Sequence, residues 1–223
     1  MQKNDLYIYG TVLNNAKWVR DSINSIKPLN PKAMIFVDGM STDGTYEILQ
    51  ELGVKVIRTG KLESRGKSRQ IALNEVFKIA KPDDFVMYID LDITYTEKFI
   101  DYVKNFINNP PERTIGIAGL SRVKDNYSVE WRDLNYGEDW ERMAHFKSLG
   151  YNIDFIREGD ESYGLNAPEV GMGMFARERR YTNSKIRLIK NMIDVERGIA
   201  FSFADFISQS KLKKRILYFP IYL

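Results

Sequence analysis

The sequence predicts an α/β protein with a mostly parallel central sheet flanked by helices and a helical C-terminal appendage. Three observations predict it. Short apolar runs rich in β-branched and aromatic residues recur through the first 156 residues. Amphipathic segments at helical spacing separate them. Asn, Asp, Gly and Pro punctuate the joins.

Leu6 to Leu13 reads as a buried strand. Asn14 or Asn15 is placed to cap the next helix, where Trp18, Val19, Ser22, Ile23 and Ile26 share one face. Pro28 and Pro31 end it. Residues 33–37 form a second strand running into Asp38-Gly39. Ser41 or Thr42 starts a helix bearing Tyr46, Ile48, Leu49 and Leu52, and Gly53 stops it. Val54 to Ile57 is a third strand. Residues 64–80 make a helix, with Ala72, Val76 and Ile79 stacked beside Leu73, Phe77 and Ala80. After the turn at residues 81–84, Phe85 to Ile89 is a fourth strand, ending in Asp90-Leu91-Asp92.

Glu97 to Ile107 is helical, and Asn108-Asn109-Pro110-Pro111 breaks it. Thr114 to Leu120 reads as a fifth strand, Glu138 to Leu149 as a helix ended by Gly150, and Tyr151 to Ile156 as a further strand. Gly164 to Gly173 reads as a mobile loop near the site. In parallel sheets of this kind ligands bind beyond the carboxyl ends of the strands. Asp38, Asp90 and Asp92 all fall there.

The bulk numbers narrow the function classes. The 223 residues are 43% hydrophobic and 28% charged, enough for one core without staples. There is no cysteine, which excludes disulfides, zinc–thiolate sites and thiol nucleophiles. A net charge of +3 is too even to argue for nucleic acid. No signal peptide or membrane-spanning run is evident, so a cytoplasmic protein, or one at the cytoplasmic face of a membrane, is expected.

Three motifs carry chemistry. Asp90 and Asp92 point to one side of the chain, and paired hard oxygens suit Mg²⁺ or Mn²⁺, with phosphates and water completing the shell. A plain polar strand end is the blander reading. Asp38, followed by Ser41-Thr42-Asp43-Gly44-Thr45, sets an acceptor before a tight turn that caps a helix. Gly66-Lys67-Ser68-Arg69 opens a helix whose N–H groups and cations can face a diphosphate, or can equally form a solvated first turn.

Taken in order, these motifs resemble those of the family 2 glycosyltransferases, which have the GT-A fold. The resemblance covers about residues 6–110 and continues more weakly to residue 156. It implies that Asp38 contacts the base of a nucleotide-sugar donor. Arg69 would sit near the base or the diphosphate, and Asp90 near the ribose. Asp92, with Asp90, would bind the Mn²⁺ or Mg²⁺ that bridges the donor phosphates. Thr11 and Asn14, on the first strand and its exit loop, and Asp43 join the donor-binding set. One departure is Gly39, where the family often has a second acid.

Gly137-Glu138-Asp139-Trp140 resembles the family's Glu-Asp motif, which makes Asp139 the catalytic base. Glu130 and Asp133 are reserve candidates for that role. Trp131, Tyr136 and Trp140 can wall a sugar ring or belong to the core. The lone His145 is taken as structural.

The implied activity is metal-dependent, inverting transfer of a sugar, from a UDP-sugar foremost, to an acceptor hydroxyl on a saccharide, lipid-linked saccharide or protein. A sugar-nucleotide nucleotidyltransferase and a non-catalytic scaffold are the rivals. The domain reading is 1–175 for the catalytic unit and 176–223 for a basic, amphipathic appendage. The appendage follows the Arg177–Arg187 run and has three readings: lying on an anionic membrane, docking on the domain, or making a dimer contact.

Overall fold

The computed structural model describes residues 4–135, 137–154 and 163–166. Three βα units come first. They are β1 (Leu6–Val12) with α1 (Ala16–Ile26), β2 (Ala33–Asp38) with α2 (Thr45–Glu51), and β3 (Lys55–Arg58) with α3 (Arg65–Phe77). Then follow β4 (Phe85–Tyr88), β5 (Ile93–Tyr95), α4 (Glu97–Asn108), β6 (Thr114–Ile115) and β7 (Ser121–Arg122). Last come α5 (Glu138–Ser148), β8 (Asn152–Ile153) and β9 (Gly164–Asn166).

The main sheet runs β3-β2-β1-β4-β7, parallel except for antiparallel β7. Strand alternation divides its side chains between two cores. Leu6 and Ile8 of β1, Phe36 of β2, and Phe85 and Met87 of β4 pack with α1 and α4 on one face. Tyr7, Tyr9, Ile35, Val37 and Val86 pack against Ala72, Leu73 and Val76 of α3 on the other. Fully burying one such side chain, Ile8 for example, is worth about 1.5–3 kcal/mol. A third, smaller cluster of Ile115, Val129, Met143 and Phe146 seats α5.

Several sequence expectations need correction. The segment from Thr114 to Leu120 is not one strand. Ala118 and Gly119 adopt positive φ of 57° and 64°, and a 3₁₀ turn separates β6 from β7. The second helix starts at Thr45 rather than at Ser41 or Thr42. The N–H groups of Ser41 and Thr42 are already taken, by the Asp38 carboxylate and by the Asn14 side chain. The third helix ends at Phe77, which leaves Ile79 exposed instead of stacked.

Gly164–Asn166 is a strand paired antiparallel with β5, not loop; β5 itself has no counterpart in the sequence reading. Of Tyr151 to Ile156, only Asn152–Ile153 is strand, and residues 155 and 156 lie outside the described residues. The appendage at 176–223, the Arg177–Arg187 run and Tyr136 also lie outside them. Among the described residues no helix is long and apolar enough to cross a membrane.

Candidate functional site

Strand order reverses between β1 and β4. The chain steps from β1 to β2 to β3 in one direction, then crosses to place β4 on the other side of β1. A crevice opens beyond the carboxyl ends at such a point. The loops after β1, β2 and β4 and the start of α5 meet there through a network of side-chain hydrogen bonds.

The Asp38 end is tightly braced. Asp38 is fully buried, and its carboxylate accepts from the Ser41 N–H at 3.2 Å and from Arg58 Nε at 2.9 Å. The Arg58 guanidinium lies 3.9 Å over the Tyr46 ring. Asn14, at φ 49°, donates its N–H to Ser41 Oγ at 2.8 Å and accepts from the Thr42 N–H at 2.9 Å. The Thr11 hydroxyl donates to the Val37 carbonyl at 3.1 Å.

Asp43 accepts from the Ala16 N–H at 2.9 Å and from the Thr45 hydroxyl at 2.6 Å. Partial burial opposes its charge, but these hydrogen bonds prevail and hold its carboxyl below the ordinary value. Asn15 was expected as a possible cap. It occupies the capping position of α1 but makes no side-chain cap bond. Its side-chain amide donates instead to the Leu91 carbonyl, and its N–H donates to Thr45 Oγ1 at 2.7 Å. Asn15 thereby ties the exit loop of β1 to those of β2 and β4.

Arg69, which the resemblance sets near the base or the diphosphate, is buried, 1% exposed. One terminal nitrogen donates to Asp90 Oδ1 at 2.6 Å and the other to Glu138 Oε1 at 2.9 Å. Its guanidinium sits 4.6 Å from the Tyr88 ring centroid and 4.8 Å from that of Trp131. Burial works against its charge, yet Asp90 and Glu138 outweigh it and raise its pKa further. Glu138 responds in the opposite sense, because burial pushes its carboxyl up against the pull of Arg69.

The first turn of α3 is also closed to a ligand. Arg65 N–H donates to Asn135 Oδ1 at 3.0 Å, Gly66 N–H to the Leu134 carbonyl at 2.9 Å, and Lys67 N–H to Ser64 Oγ at 3.1 Å. Of these, the Gly66 and Lys67 N–H groups belong to the Gly66–Arg69 motif that the sequence offered to a diphosphate. Of the two cations, Arg69 is buried, while Lys67 is partly exposed and pairs with Glu63 at 3.0 Å. Gly66 is what admits the covering segment, since a Cβ there would lie 1.9 Å from the Arg132 carbonyl oxygen.

The two carboxylates after β4 differ. Asp90 is 37% exposed and paired with Arg69. Its surroundings disfavour its charge, but Arg69 and then Arg65 hold the carboxyl below the ordinary value. Asp92 is exposed, and surrounding protein followed by the Asp90 charge pushes its carboxyl up. Such a group gains from a nearby cation. No group of three or more His, Asp and Glu side chains gathers as a metal cage among the described residues. A divalent ion held here by one or two carboxylates would take its remaining ligands from phosphate and water, which suits Mg²⁺ or Mn²⁺.

Asp139 follows Glu138 in the first turn of α5, half-buried, with its Oδ1 accepting from the Trp140 N–H at 3.0 Å. Glu130 and Asp133 are exposed on the preceding segment. Trp131 is a core residue, 3% exposed, whose indole N–H donates to the Tyr9 hydroxyl at 2.8 Å. Sequence reasoning passed over Arg142. It is fully buried, its guanidinium 4.6 Å from the Trp131 ring, and it donates to Asn126 Oδ1 at 2.7 Å and to the Val129 carbonyl. Its only sequence signal is its place three residues after Asp139 on a helix whose other apolar positions face inward.

A strand-end acid pair and a helix-start acid pair thus meet at the switch point of a mostly parallel sheet. The chain belongs to glycosyl transferase family 2, whose model matches residues 9–182. That family match sets the chain apart from the sugar-nucleotide nucleotidyltransferases.

Among solved structures, S. aureus TarS is 17% identical with a TM-score of 0.57, over 74% of this chain and 37% of that one. TarS 1–349 in complex with UDP is again 17% identical with a TM-score of 0.57, over 74% of this chain and 61% of that one. Glucosyl-3-phosphoglycerate synthase from Mycobacterium tuberculosis, in complex with Mn²⁺, UDP and glucosyl-3-phosphoglycerate, is 14% identical with a TM-score of 0.57, over 75% of this chain and 73% of that one. No curated protein matches the chain.

Proposed function

We propose that this chain transfers a sugar from a nucleotide-diphosphate sugar, a UDP-sugar foremost, to an acceptor hydroxyl, with inversion at the anomeric carbon. The observation that carries the reading is the Arg69 bridge. It ties Asp90, two residues before Asp92, to Glu138, one residue before Asp139, although the two segments are distant in sequence.

Asp38, Thr11, Asn14 and Asp43 shape the nucleotide end. Asp92, with Asp90 beside it, would hold Mn²⁺ or Mg²⁺. A cation bound there would supply charge neutralisation for the departing nucleoside diphosphate. Asp139 accepts the proton of the acceptor hydroxyl as its oxygen bonds to the anomeric carbon. The bond from that carbon to the donor phosphate oxygen breaks, and its electron pair leaves with the diphosphate. Direct displacement inverts the carbon and needs no protein nucleophile.

The acceptor is a saccharide, a lipid-linked saccharide or a protein hydroxyl. TarS and the glucosyl-3-phosphoglycerate synthase were both crystallised with UDP, the latter also with Mn²⁺ and with Mg²⁺, which supports the donor and metal assignments.

The test is binding and hydrolysis of UDP-, GDP- and other nucleotide sugars with and without Mn²⁺. Manganese-dependent binding of one donor, lost in Asp92→Ala, is the expected result. Full activity of Asp92→Ala, or binding of no donor, would overturn the reading.

A further inference from the structure

We propose that Arg69 is a positioning residue: from beneath the site it holds the loop carrying Asp90 and Asp92 in register with the helix start carrying Asp139. The inference rests on the role of Asp139 as base, but the link itself stands on geometry alone.

A donor contact by Arg69 is a poor fit to its surroundings. Both terminal nitrogens are committed, at 2.6 Å to Asp90 and 2.9 Å to Glu138, and the residue is 1% exposed. Tyr88 and Trp131 contact its guanidinium. Little of it is left for a ligand.

What remains is a bridge between two elements. Asp90 stands in the exit loop of β4, two residues before Asp92. Glu138 opens α5, one residue before Asp139. A planar guanidinium with forked donors fixes both carboxylates at once, which a single ammonium does not. The relative placement of the metal-side acid and the base thereby depends on this buried side chain, with the half-exposed Arg65 only a longer contact to Glu138, at 3.8 Å. The catalysed displacement depends on that distance, and a misplacement of about 1 Å costs about 10²-fold in rate.

The experiment uses Arg69→Lys and Glu138→Gln, singly and together. It reads kcat, the Kd for UDP in the presence of Mn²⁺, and thermal unfolding without donor. Arg69→Lys should lower kcat by about 10²-fold while the Kd for UDP holds. Glu138→Gln should do the same from the other end of the bridge. The double variant should be no slower than the slower single, because residues acting as a unit are not additive.

A weakened Kd for UDP with kcat retained would make Arg69 a donor ligand and overturn the proposal. So would wild-type kcat in Glu138→Gln. If Arg69→Lys fails to fold, Glu138→Gln decides alone. Should the wild type turn over no tested donor, the functional reading falls while the unfolding cycle still tests the link. Additive shifts in Tm would refute it.

Discussion

The Asp43 carboxylate accepts the backbone N–H of Ala16 at 2.9 Å, and so caps a helix that begins 27 residues before it in the chain. The same carboxylate takes the Thr45 hydroxyl and N–H. Loss of a cap of this kind costs about 1 kcal/mol, so Asp43→Ala should lower Tm measurably. Its folded pKa is depressed, so the charge-dependent stability is present above the ordinary value and is lost as pH falls through the folded one. The Tm gap between wild type and Asp43→Ala should therefore narrow below about pH 4. A gap that stays constant from pH 7 down to pH 3 would show that the carboxylate charge plays no part.

Gly66→Ala should be strongly destabilising for one steric reason. The new Cβ would meet the Arg132 carbonyl oxygen at 1.9 Å, and backbone cannot rotate away as a side-chain tip can. Overpacking of this type costs about 1–3 kcal/mol. Urea denaturation reads it directly, and wild-type stability would mean that the segment covering α3 is free to lift.

Asp139→Asn should reduce kcat by about 10²- to 10⁴-fold and leave donor binding intact, as calorimetry with UDP and Mn²⁺ would show. Asp92→Asn should do the reverse first, removing the manganese dependence of donor binding. Because the Asp92 carboxyl is raised, it takes up a proton at a higher pH than an ordinary carboxyl does. Metal-assisted binding should accordingly weaken on acidification while pH is still above the usual value of about 3.9. Binding that is flat through that range would argue against Asp92 as the ligand.

Arg142→Met should lower stability by about 3 kcal/mol, since Asn126 Oδ1 and the Val129 carbonyl would be left buried and unpaired. Burial already pulls the Arg142 pKa down, with the Tyr9 hydroxyl acting to restore it. Arg142→Lys should rescue little, because an ammonium cannot reach the same acceptors in the plane of a fork. Chemical denaturation of both variants provides the comparison.

Much of the scaffold was readable in the chain. Leu6–Val12, Ala33–Asp38, Lys55–Arg58 and Phe85–Tyr88 fall within a residue or so of the strands predicted. Their β-branched and aromatic runs admit few other uses. The break inside Thr114–Leu120 was not readable, because five of those seven residues are apolar or β-branched and it is the positive φ of Ala118 and Gly119 that interrupts them. β5 escaped because its partner, Gly164–Asn166, lies far along the chain.

The candidate site divides along the same line. The positions of Asp38, Asp90 and Asp92 at strand ends, and of Asp139 at a helix start, follow from local pattern, since hydrophobic period and capping residues act over a few positions. The partners of those groups do not. A buried guanidinium takes whatever carboxylates the fold brings within about 3 Å, and this decided that Arg69 joins Asp90 to Glu138. Asp43 became the cap of a distant helix, and Asn15 a tie to Leu91, for the same reason. The sequence by itself determined which elements form and which acids stand at their ends. The tertiary structure alone decided which charges meet, because desolvation penalises an unpaired buried charge regardless of how far along the chain its partner lies.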